Sequence, residues 1–347
     1  MNIFLIATLS ICTTTVISAT SLAVSSECII CFDTERSSSV YRTSCRHNFH
    51  QFCLEKWLSN KKFCPLCKKT VNKVSEPMLY PNKKFIKPLE KNINLHYHNL
   101  DRKDLETLSS ELGNSVLVES LDLSSNYLKS LSHISTALKN NSSLKSVNLE
   151  LNDLSDSGTS EVANVLKGNS SLKILNISNN RISGVGAAHL CESMQSNKSL
   201  EVLDIRSNSL EDDGASEISK VLENRNTSTL KSIDLSDNAI TNVGVAVLFK
   251  ALQKNNCLEI LYLSENIISD DGAVPIAKAL KSNKTLKILN LSENSITDKE
   301  CEILAQALKS NSTLTLLDLR GNFYDESNIR ETLRSLKQVR PNLVIKL

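Results

Sequence analysis

The sequence contains few aromatic residues, which make up 4% of its 347 residues and include one tryptophan. Its core must therefore be built from Leu, Ile, Val and Ala. A large net charge is also absent: the formal value is +2, which argues against a dedicated nucleic-acid-binding protein. Apolar residues make up 40% of the chain and charged residues 22%, which is the composition of a chain that folds.

Charged side chains are missing from the segment Met1 to Ser26, and residues 3–24 are mostly apolar. Three interpretations of residues 1–26 stay open. One is a secretory signal that ends near Ser21-Leu22-Ala23, although the usual positive start is missing. Another is a membrane anchor, because a helix over residues 3–24 would just span ~30 Å of hydrocarbon and the Lys/Arg that follow would hold the C-terminal side in the cytoplasm. The third is an apolar leader without a defined role.

Charge and cysteine are distributed unevenly. Residues 25–91 carry a net charge of +7 and residues 92–347 carry −5, which indicates two separate units. Six of the ten cysteines lie close together between Cys28 and Cys67, whereas Cys191, Cys257 and Cys301 are single and far apart. This distribution is typical of metal binding in a reducing compartment and not of a disulfide framework.

Eight Cys and His side chains form four close pairs in the cysteine-rich stretch. In chain order these are Cys28 and Cys31, Cys45 and His47, His50 and Cys53, and Cys64 and Cys67. Zinc takes four sulfur or nitrogen ligands tetrahedrally, so eight ligands predict two closed structural sites with no open position for a substrate.

This spacing resembles the RING-H2 finger, whereas PHD and LIM fingers place the histidine differently. The resemblance implies a small cross-brace finger over residues 27–68 that holds two zinc ions. One site would use Cys28, Cys31, His50 and Cys53, and the other would use Cys45, His47, Cys64 and Cys67. So short a segment buries little apolar surface, so the metal is expected to supply its folding free energy.

The resemblance also implies a docking surface for a ubiquitin-conjugating E2. Ile30, Trp57 and Pro65 match the shallow E2-binding groove of the family. Lys68 stands where active members often have an Arg that contacts ubiquitin, and it keeps the charge without the bidentate fork. Trp57 could instead belong to a small core, and Pro65 could stiffen the turn at the zinc site.

From residue 90 to residue 347 the sequence repeats at a nearly constant spacing. Copies begin at Val118, Leu144, Leu172, Leu200, Leu230, Leu258, Leu286 and Leu314. The pattern resembles the leucine-rich repeat of the ribonuclease-inhibitor type, which also occurs in NLR receptors. It implies an α/β solenoid, shaped as a horseshoe. A P-loop is absent from the sequence, which excludes the nucleotide switch of NLR receptors.

The repeat has a physical logic of its own. Leu289 and Leu291 alternate and point to one face of a short strand. Asn294 recurs in each copy and is expected to bond neighbouring backbone groups, forming a ladder through the stack. Apolar residues four and eight positions beyond a recurring glycine form one helical face. Most of the Asn-x-Ser/Thr sequences, including those at Asn169 and Asn311, recur at one repeat position, so we attribute them to the turn and not to secretion.

The outward-pointing strand residues are expected to line a concave face that binds a protein partner, because an apolar column runs beside a polar and acidic one. They could also be ordinary strand formers that bind nothing. The residues singled out are Glu150, Ile174, Val202, Arg206, Ile260, Tyr262, Ile288, Leu316 and Arg320.

The sequence therefore predicts four parts: an apolar segment (1–26), a RING-H2 finger (27–68), a Pro/Lys-rich linker (69–89) and a repeat solenoid (90–347). The first hypothesis is a RING-type E3 ubiquitin ligase, which docks a charged E2 through its finger and recruits a protein substrate through its repeats. No catalytic nucleophile is visible, so the thioester chemistry would stay on the E2. The alternative is a non-catalytic adaptor or innate-immune-like receptor whose RING mediates assembly only.

The expected partners are an E2, ubiquitin and a protein ligand of the solenoid, without nucleic acid. Membrane contact would be made through residues 3–24. The expected location is the cytoplasm, with the RING facing the cytoplasm if the chain is anchored. Secretion is the alternative, and it depends on residues 1–26 alone.

Overall fold

The computed structural model describes residues 90–224 and 229–347, together with two paired strands near the N-terminus. The chain divides into two compact units, Met1–Lys83 and Lys84–Leu347. In the first unit, β1 (Val40–Arg42) pairs antiparallel with β2 (Asn48–His50), and Val40 lies opposite His50. The remainder of the predicted finger, the linker and residues 3–24 lie outside the described residues.

The second unit is built on a ten-stranded parallel sheet in which each strand pairs with the next in the sequence. Each strand is three residues long. The strands are β3 (Asn92–Asn94), β4 (Ser120–Asp122), β5 (Ser146–Asn148), β6 (Ile174–Asn176), β7 (Val202–Asp204), β8 (Ser232–Asp234), β9 (Ile260–Tyr262), β10 (Ile288–Asn290), β11 (Leu316–Asp318) and β12 (Val344–Lys346).

A helix returns the chain between each two successive strands. The longest turn lies between β4 and α2, and a 3-10 turn (Asp270–Gly272) precedes α7. The helices are α1 (Arg102–Asn114), α2 (Ser135–Asn140), α3 (Ser155–Gly168), α4 (Gly184–Ser196), α5 (Glu211–Glu223), α6 (Asn242–Leu252), α7 (Ala273–Ser282), α8 (Asp298–Leu308) and α9 (Glu326–Val339). Strand, turn and helix thus repeat along the chain, which confirms the predicted α/β solenoid.

The core lies between the sheet and the row of helices. Leu289 and Leu291 are fully buried, as the alternation along the strand predicts. Leu166 and Leu222 are fully buried on the inner faces of α3 and α5. Each repeat has one apolar strand face and one apolar helix face, and it buries both only against neighbouring repeats.

The two ends of the array are also formed by repeats. The degenerate copy around Ile93 forms β3, and Ile93 lies opposite Leu121 of the first complete copy. At the other end β12 pairs with β11, with Ile345 opposite Leu317. The sheet is thus continued at each end by a strand from an incomplete repeat.

From α3 to α6 the helix starts alternate between two designs, which the sequence pattern did not distinguish. α3 and α5 begin at Ser155 and Glu211, whose φ angles are +52° and +53°. α4 is instead capped by Ser183, whose hydroxyl accepts from a backbone N–H of its own helix. Asp156 of the preceding repeat accepts from the backbone N–H groups of Ser183 and Gly186. One repeat therefore caps the helix of the next.

Candidate metal centre and binding face

The β1–β2 hairpin falls inside the predicted zinc-binding stretch. His50 ends β2, and the chain between the two strands carries Cys45 and His47. The other predicted ligands, and the side chains of all eight, lie outside the described residues. Six thiols and two imidazoles form a donor set that suits zinc and does not suit oxygen-seeking cations such as Mg²⁺. In the described part of the solenoid, no group of three or more His, Cys, Asp or Glu residues could hold a metal ion.

The predicted E2 and ubiquitin contacts are Ile30, Trp57, Pro65 and Lys68. All four lie outside the described residues. Their roles therefore stay predictions that rest on the residue types and on their positions relative to the zinc ligands.

The asparagine ladder is present through the solenoid. The Nδ2 group of Asn180 donates to the carbonyl oxygens of Leu149 in the preceding repeat and Ile177 in its own, at 2.9 and 3.0 Å. Its Oδ1 atom accepts from the backbone N–H groups of Asn152 and Leu154, at 3.0 and 3.2 Å. One buried side chain thus satisfies backbone groups in two repeats, which confirms the predicted role of this position.

A second asparagine ladder runs along the helix ends, at the recurring Asn-x-Ser/Thr positions. The Nδ2 group of Asn169 donates to the carbonyl oxygens of Leu138 and Asn141, at 2.8 and 2.9 Å. Its Oδ1 atom accepts from the backbone N–H groups of Ser171 and Leu172. Asn169 is 4% exposed. The interpretation that these sequences belong to the turn of the repeat is therefore confirmed.

The sheet brings the predicted concave-face residues into columns. Ile174 lies opposite Val202, and further along Ile260, Ile288 and Leu316 lie side by side on β9, β10 and β11. The column is interrupted on β8 by a serine. All of these apolar side chains are partly exposed. Tyr262 occupies the neighbouring column two residues after Ile260.

Both predicted arginines of this face are held by carboxylates of the same chain. Arg206 lies 3.7 Å from Glu150 and 3.7 Å from Asp204. Arg320 donates two hydrogen bonds to Asp318, at 2.9 and 2.7 Å, in the bidentate arrangement that favours Arg. Neither guanidinium therefore presents an unpaired charge to a partner.

Two aspartates lie side by side on adjacent strands. Asp204 of β7 is opposite Asp234 of β8, and Asp234 is opposite Tyr262 of β9. Burial, together with the negative charge of Asp234, raises the pKa of Asp204 to about 6. Burial and Asp234 also raise the pKa of Tyr262. The middle of the face is thus acidic and partly desolvated.

A row of ion pairs runs along the start of the strands. These ion pairs were not predicted from the sequence. Glu201 binds both Lys173 and Lys231 in the repeats on either side, and hydrogen bonds from Lys173 and Lys231 lower the pKa of Glu201. Lys287 binds Glu259 in the same way. The signal was available, because Lys or Glu follows the first leucine of most copies.

The cysteines of the solenoid are free thiols, and two of them are buried. Burial raises the pKa of Cys191 and the pKa of Cys301 to about 12. These two thiols therefore stay protonated near neutral pH and are poor nucleophiles.

Comparison with known proteins assigns both modules. A model described as a RING-H2 zinc finger domain matches residues 14–68. The match begins inside the segment predicted as residues 1–26, so that boundary stays a prediction. A leucine-rich repeat model matches six segments, residues 140–163, 168–191, 196–219, 227–249, 254–277 and 282–299.

Curated relatives match short stretches of the chain. The E3 ubiquitin-protein ligase ATL23 of Arabidopsis thaliana is 41% identical over 49 residues, which cover 14% of this chain and 30% of that protein. The E3 ubiquitin-protein ligase RHA2B of the same plant is 44% identical over 45 residues, covering 12% and 31%. RING finger protein 148 of Mus musculus is 40% identical over 42 residues, covering 12% and 13%. The chain spans less than a third of the length of each.

Solved structures resemble the chain more distantly. The actin-binding site 2 of leiomodin-1 has a TM-score of 0.31 and 19% identity, covering 59% of this chain and 86% of that one. An internalin (inlF) of Listeria monocytogenes has a TM-score of 0.39 and 22% identity, covering 68% and 69%. Neither similarity bears on function.

The described helices include none that is long and apolar enough to cross a membrane, and residues 3–24 lie outside that part of the chain. The RING-H2 match spans the eight predicted ligands, and its family binds two zinc ions, the number that the sequence predicts. The chain therefore joins a RING-H2 zinc finger, similar to those of E3 ubiquitin ligases, to a leucine-rich repeat solenoid.

Proposed function

We propose that this protein is a RING-type E3 ubiquitin ligase. The observation that carries the proposal is the RING-H2 match over all eight Cys and His residues, together with relatives that are named as E3 ubiquitin-protein ligases. The finger would dock a ubiquitin-charged E2 through Ile30, Trp57 and Pro65. Cys191 and Cys301 are buried and protonated, which supports a mechanism in which the E2 keeps the thioester.

The solenoid would recruit the protein substrate. Its concave face carries a partly exposed aliphatic column, with Ile260, Ile288 and Leu316, beside the acidic column of Asp204 and Asp234. A face of this mixed character suits a protein ligand better than a small molecule, because it is open and extended. The other predicted contacts, Glu150, Ile174, Val202, Arg206, Tyr262 and Arg320, border the same face.

The same proposal places the finger in the cytoplasm, with residues 3–24 as a membrane anchor if they insert. Zinc-bound thiolates and unpaired solenoid thiols both suit a reducing compartment. Secretion remains the alternative that rests on residues 1–26.

Autoubiquitination of the full-length chain with a panel of E2 enzymes tests the proposed activity. We expect ubiquitin chains with at least one E2. Ile30→Ala and Trp57→Ala should each lower the rate at least tenfold while both zinc ions stay bound, because truncating a buried anchor of a small interface costs ~2 kcal/mol. Inactivity with every E2, together with no effect of Trp57→Ala on E2 binding, would favour the adaptor.

Lys68 is the specific feature that favours the adaptor alternative, since it stands where active family members often have an Arg. Lys68→Arg should raise the rate of transfer without changing E2 affinity, because a planar guanidinium can bridge two partners where an ammonium cannot. An unchanged rate would mean that this position does not limit transfer.

A further inference from the structure

One stretch of the sheet face differs from the rest, and it lies over β8, β9 and β10. Its floor is formed by small side chains, Ser236, Ser264 and Ser292, of which Ser236 and Ser292 are buried. At the equivalent position, neighbouring repeats carry the large side chains Arg206 and Arg320. The three serines therefore form a shallow groove that is closed at each end by an arginine.

The aliphatic column runs parallel to this groove, and the column of Asp234, Tyr262 and Asn290 lies between the two. Ile260, Ile288 and Leu316 lie opposite one another on adjacent strands and remain partly exposed. Just beyond the other side of the groove, Ile267 is 56% exposed and Phe323 is 73% exposed. In the described part of the chain, no helix or strand covers this face. Exposed apolar side chains thus lie beyond the polar edges of the groove on both sides, as at surfaces that bind other proteins.

The other side of the groove is acidic. Asp237, Glu265 and Glu293 follow the three serines directly, and all three are exposed. Backbone hydrogen bonds set them in register, because the N–H group of Asp237 donates to the carbonyl of Ser264 and that of Glu265 donates to the carbonyl of Ser292. Three carboxylates thus stand in a row, one on each repeat.

The three carboxylates of Asp237, Glu265 and Glu293 are not neutralised by lysine or arginine side chains in the described part of the same chain, in contrast to the glutamates at the strand starts. Along the strand starts, Lys and Glu alternate and bind each other. Among the described residues, no ion pair uses Asp237, Glu265 or Glu293. The hydrogen bond to Asp318, with a smaller contribution from Glu293, raises the pKa of Arg320, and Arg320 donates its side-chain hydrogen bonds to Asp318 and not to Glu293. The row is therefore complementary to positive charge supplied by a partner.

The distance between neighbouring carboxylates in this row indicates which secondary structure in a partner would place its positive charges opposite them. Adjacent strands lie ~4.8 Å apart, so the row spans about 10 Å. Cations one helical turn apart repeat every ~5.4 Å, and three of them span about 11 Å. Cations on one face of an extended strand repeat every ~6.6 Å and span about 13 Å. A helix lying across the strands therefore matches the row more closely than a strand does.

We propose that this groove docks an amphipathic basic helix of a protein partner. Its Lys or Arg side chains would face Asp237, Glu265 and Glu293, and its aliphatic side chains would pack on Ile260, Ile288 and Leu316. The inference rests on the proposed function in one respect, since it names the class of segment by which a substrate would be recruited. The docking itself requires neither E2 nor ubiquitin.

Fluorescence anisotropy with the full-length protein tests this. The probe is a labelled peptide, KLAAKLAAKLAAKL, and its matched partners replace every lysine with glutamate or place two prolines in the middle. We expect saturable binding of the lysine peptide, weakened at least tenfold by the glutamate or proline changes. The triple variant Asp237→Asn, Glu265→Gln, Glu293→Gln should weaken binding at least tenfold as well.

The control variant removes three carboxylates from the helices, Glu192→Gln, Glu223→Gln and Glu302→Gln, and changes the net charge equally. It should alter the affinity less than twofold. Equal losses in both triple variants, equal binding of the glutamate or proline peptide, or no saturable binding of the lysine peptide would overturn the proposal. Autoubiquitination should be the same in both triple variants, so a failed ligase assay and a failed docking assay remain distinguishable.

Discussion

The side-chain Nδ2 of Asn180 donates to the carbonyl oxygen of Leu149, which lies in the preceding repeat, at a distance of 2.9 Å. The bond crosses a repeat boundary inside the core, where water cannot replace it. The equivalent bonds make the ladder continuous from one repeat to the next, and they are made by Asn126, Asn152, Asn208, Asn238, Asn266, Asn294 and Asn322.

Asn180→Ala should therefore lower the free energy of unfolding by at least about 2 kcal/mol, because it leaves buried backbone donors and acceptors unpaired in two repeats. Urea denaturation followed by circular dichroism measures this. Asn126→Ala should cost less, since only one repeat lies beyond it. Asn256→Ala, on the exposed surface, is the control and should change the stability little. Equal effects at Asn180 and Asn256 would contradict the ladder.

The second ladder predicts that the Asn-x-Ser/Thr sequences stay unglycosylated in folded protein. The amide nitrogen of Asn169 would have to leave two carbonyl partners to carry a glycan, and Asn283 and Asn311 are bonded in the same way. If the chain is directed into the secretory pathway, mass spectrometry of the folded fraction should find these residues bare. Val116→Thr creates a matched acceptor sequence at exposed Asn114, which should be modified. Folded protein with glycans at Asn169 would refute the expectation.

The elevated pKa of Asp204 makes stability depend on pH. Its pKa is raised to about 6 by burial and by Asp234, whereas the unfolded value is near 3.8. The protonated form is favoured in the folded state, so its stabilising contribution is full below pH ~4 and is lost as the pH rises through ~6. Asp204→Asn should stabilise the fold at pH 7.5 and have little effect at pH 4. Urea titrations at both pH values test this, and Asp234→Asn should recover part of the same gain. If Asp204→Asn lowered the stability at pH 7.5, the raised pKa of Asp204 would be contradicted.

Removing zinc should unfold the finger and spare the solenoid. All eight predicted ligands lie in the first of the two compact units, and the repeats form the second. Metal analysis should find two zinc ions per chain. Chelation, or Cys28→Ala, should release zinc while the helical circular dichroism signal stays, because the metal supplies the folding free energy of the finger alone. Collapse of the helical signal on chelation would show that the two units depend on each other.

The repeated features of the solenoid were predictable because they recur at a constant offset along the chain. Leu289, Leu291 and Asn294 each have an equivalent residue in the next copy. The structural role of one position in a well-formed copy therefore predicts the role of the same position in the others. The short helix α2 was not predicted, because the long turn that precedes it leaves the spacing of the copies almost unchanged.

Features that depend on a choice between neighbours could not be predicted. Glu201 binds lysines on both sides, yet nothing in the repeat pattern indicates which neighbour each charge selects. The pKa of Asp204 depends on how deeply the sheet buries it beside Asp234, and burial of a polar column is a property of the assembled face. The difference between the helix starts at Ser155 and Ser183 depends on backbone angles, which similar residue types do not reveal.

Because the ladder bonds join each repeat only to its neighbours, the number of repeats can change without any change in the sequence of the remaining repeats. Excising one whole repeat, residues 172–199, would place Leu200 where Leu172 now stands and would leave an Asn on each side of the junction. Duplication would lengthen the array in steps of ~4.8 Å, the distance between strands. A gene that encodes such a protein can therefore alter the length of the solenoid by whole-repeat gain or loss, while the finger that it carries stays the same.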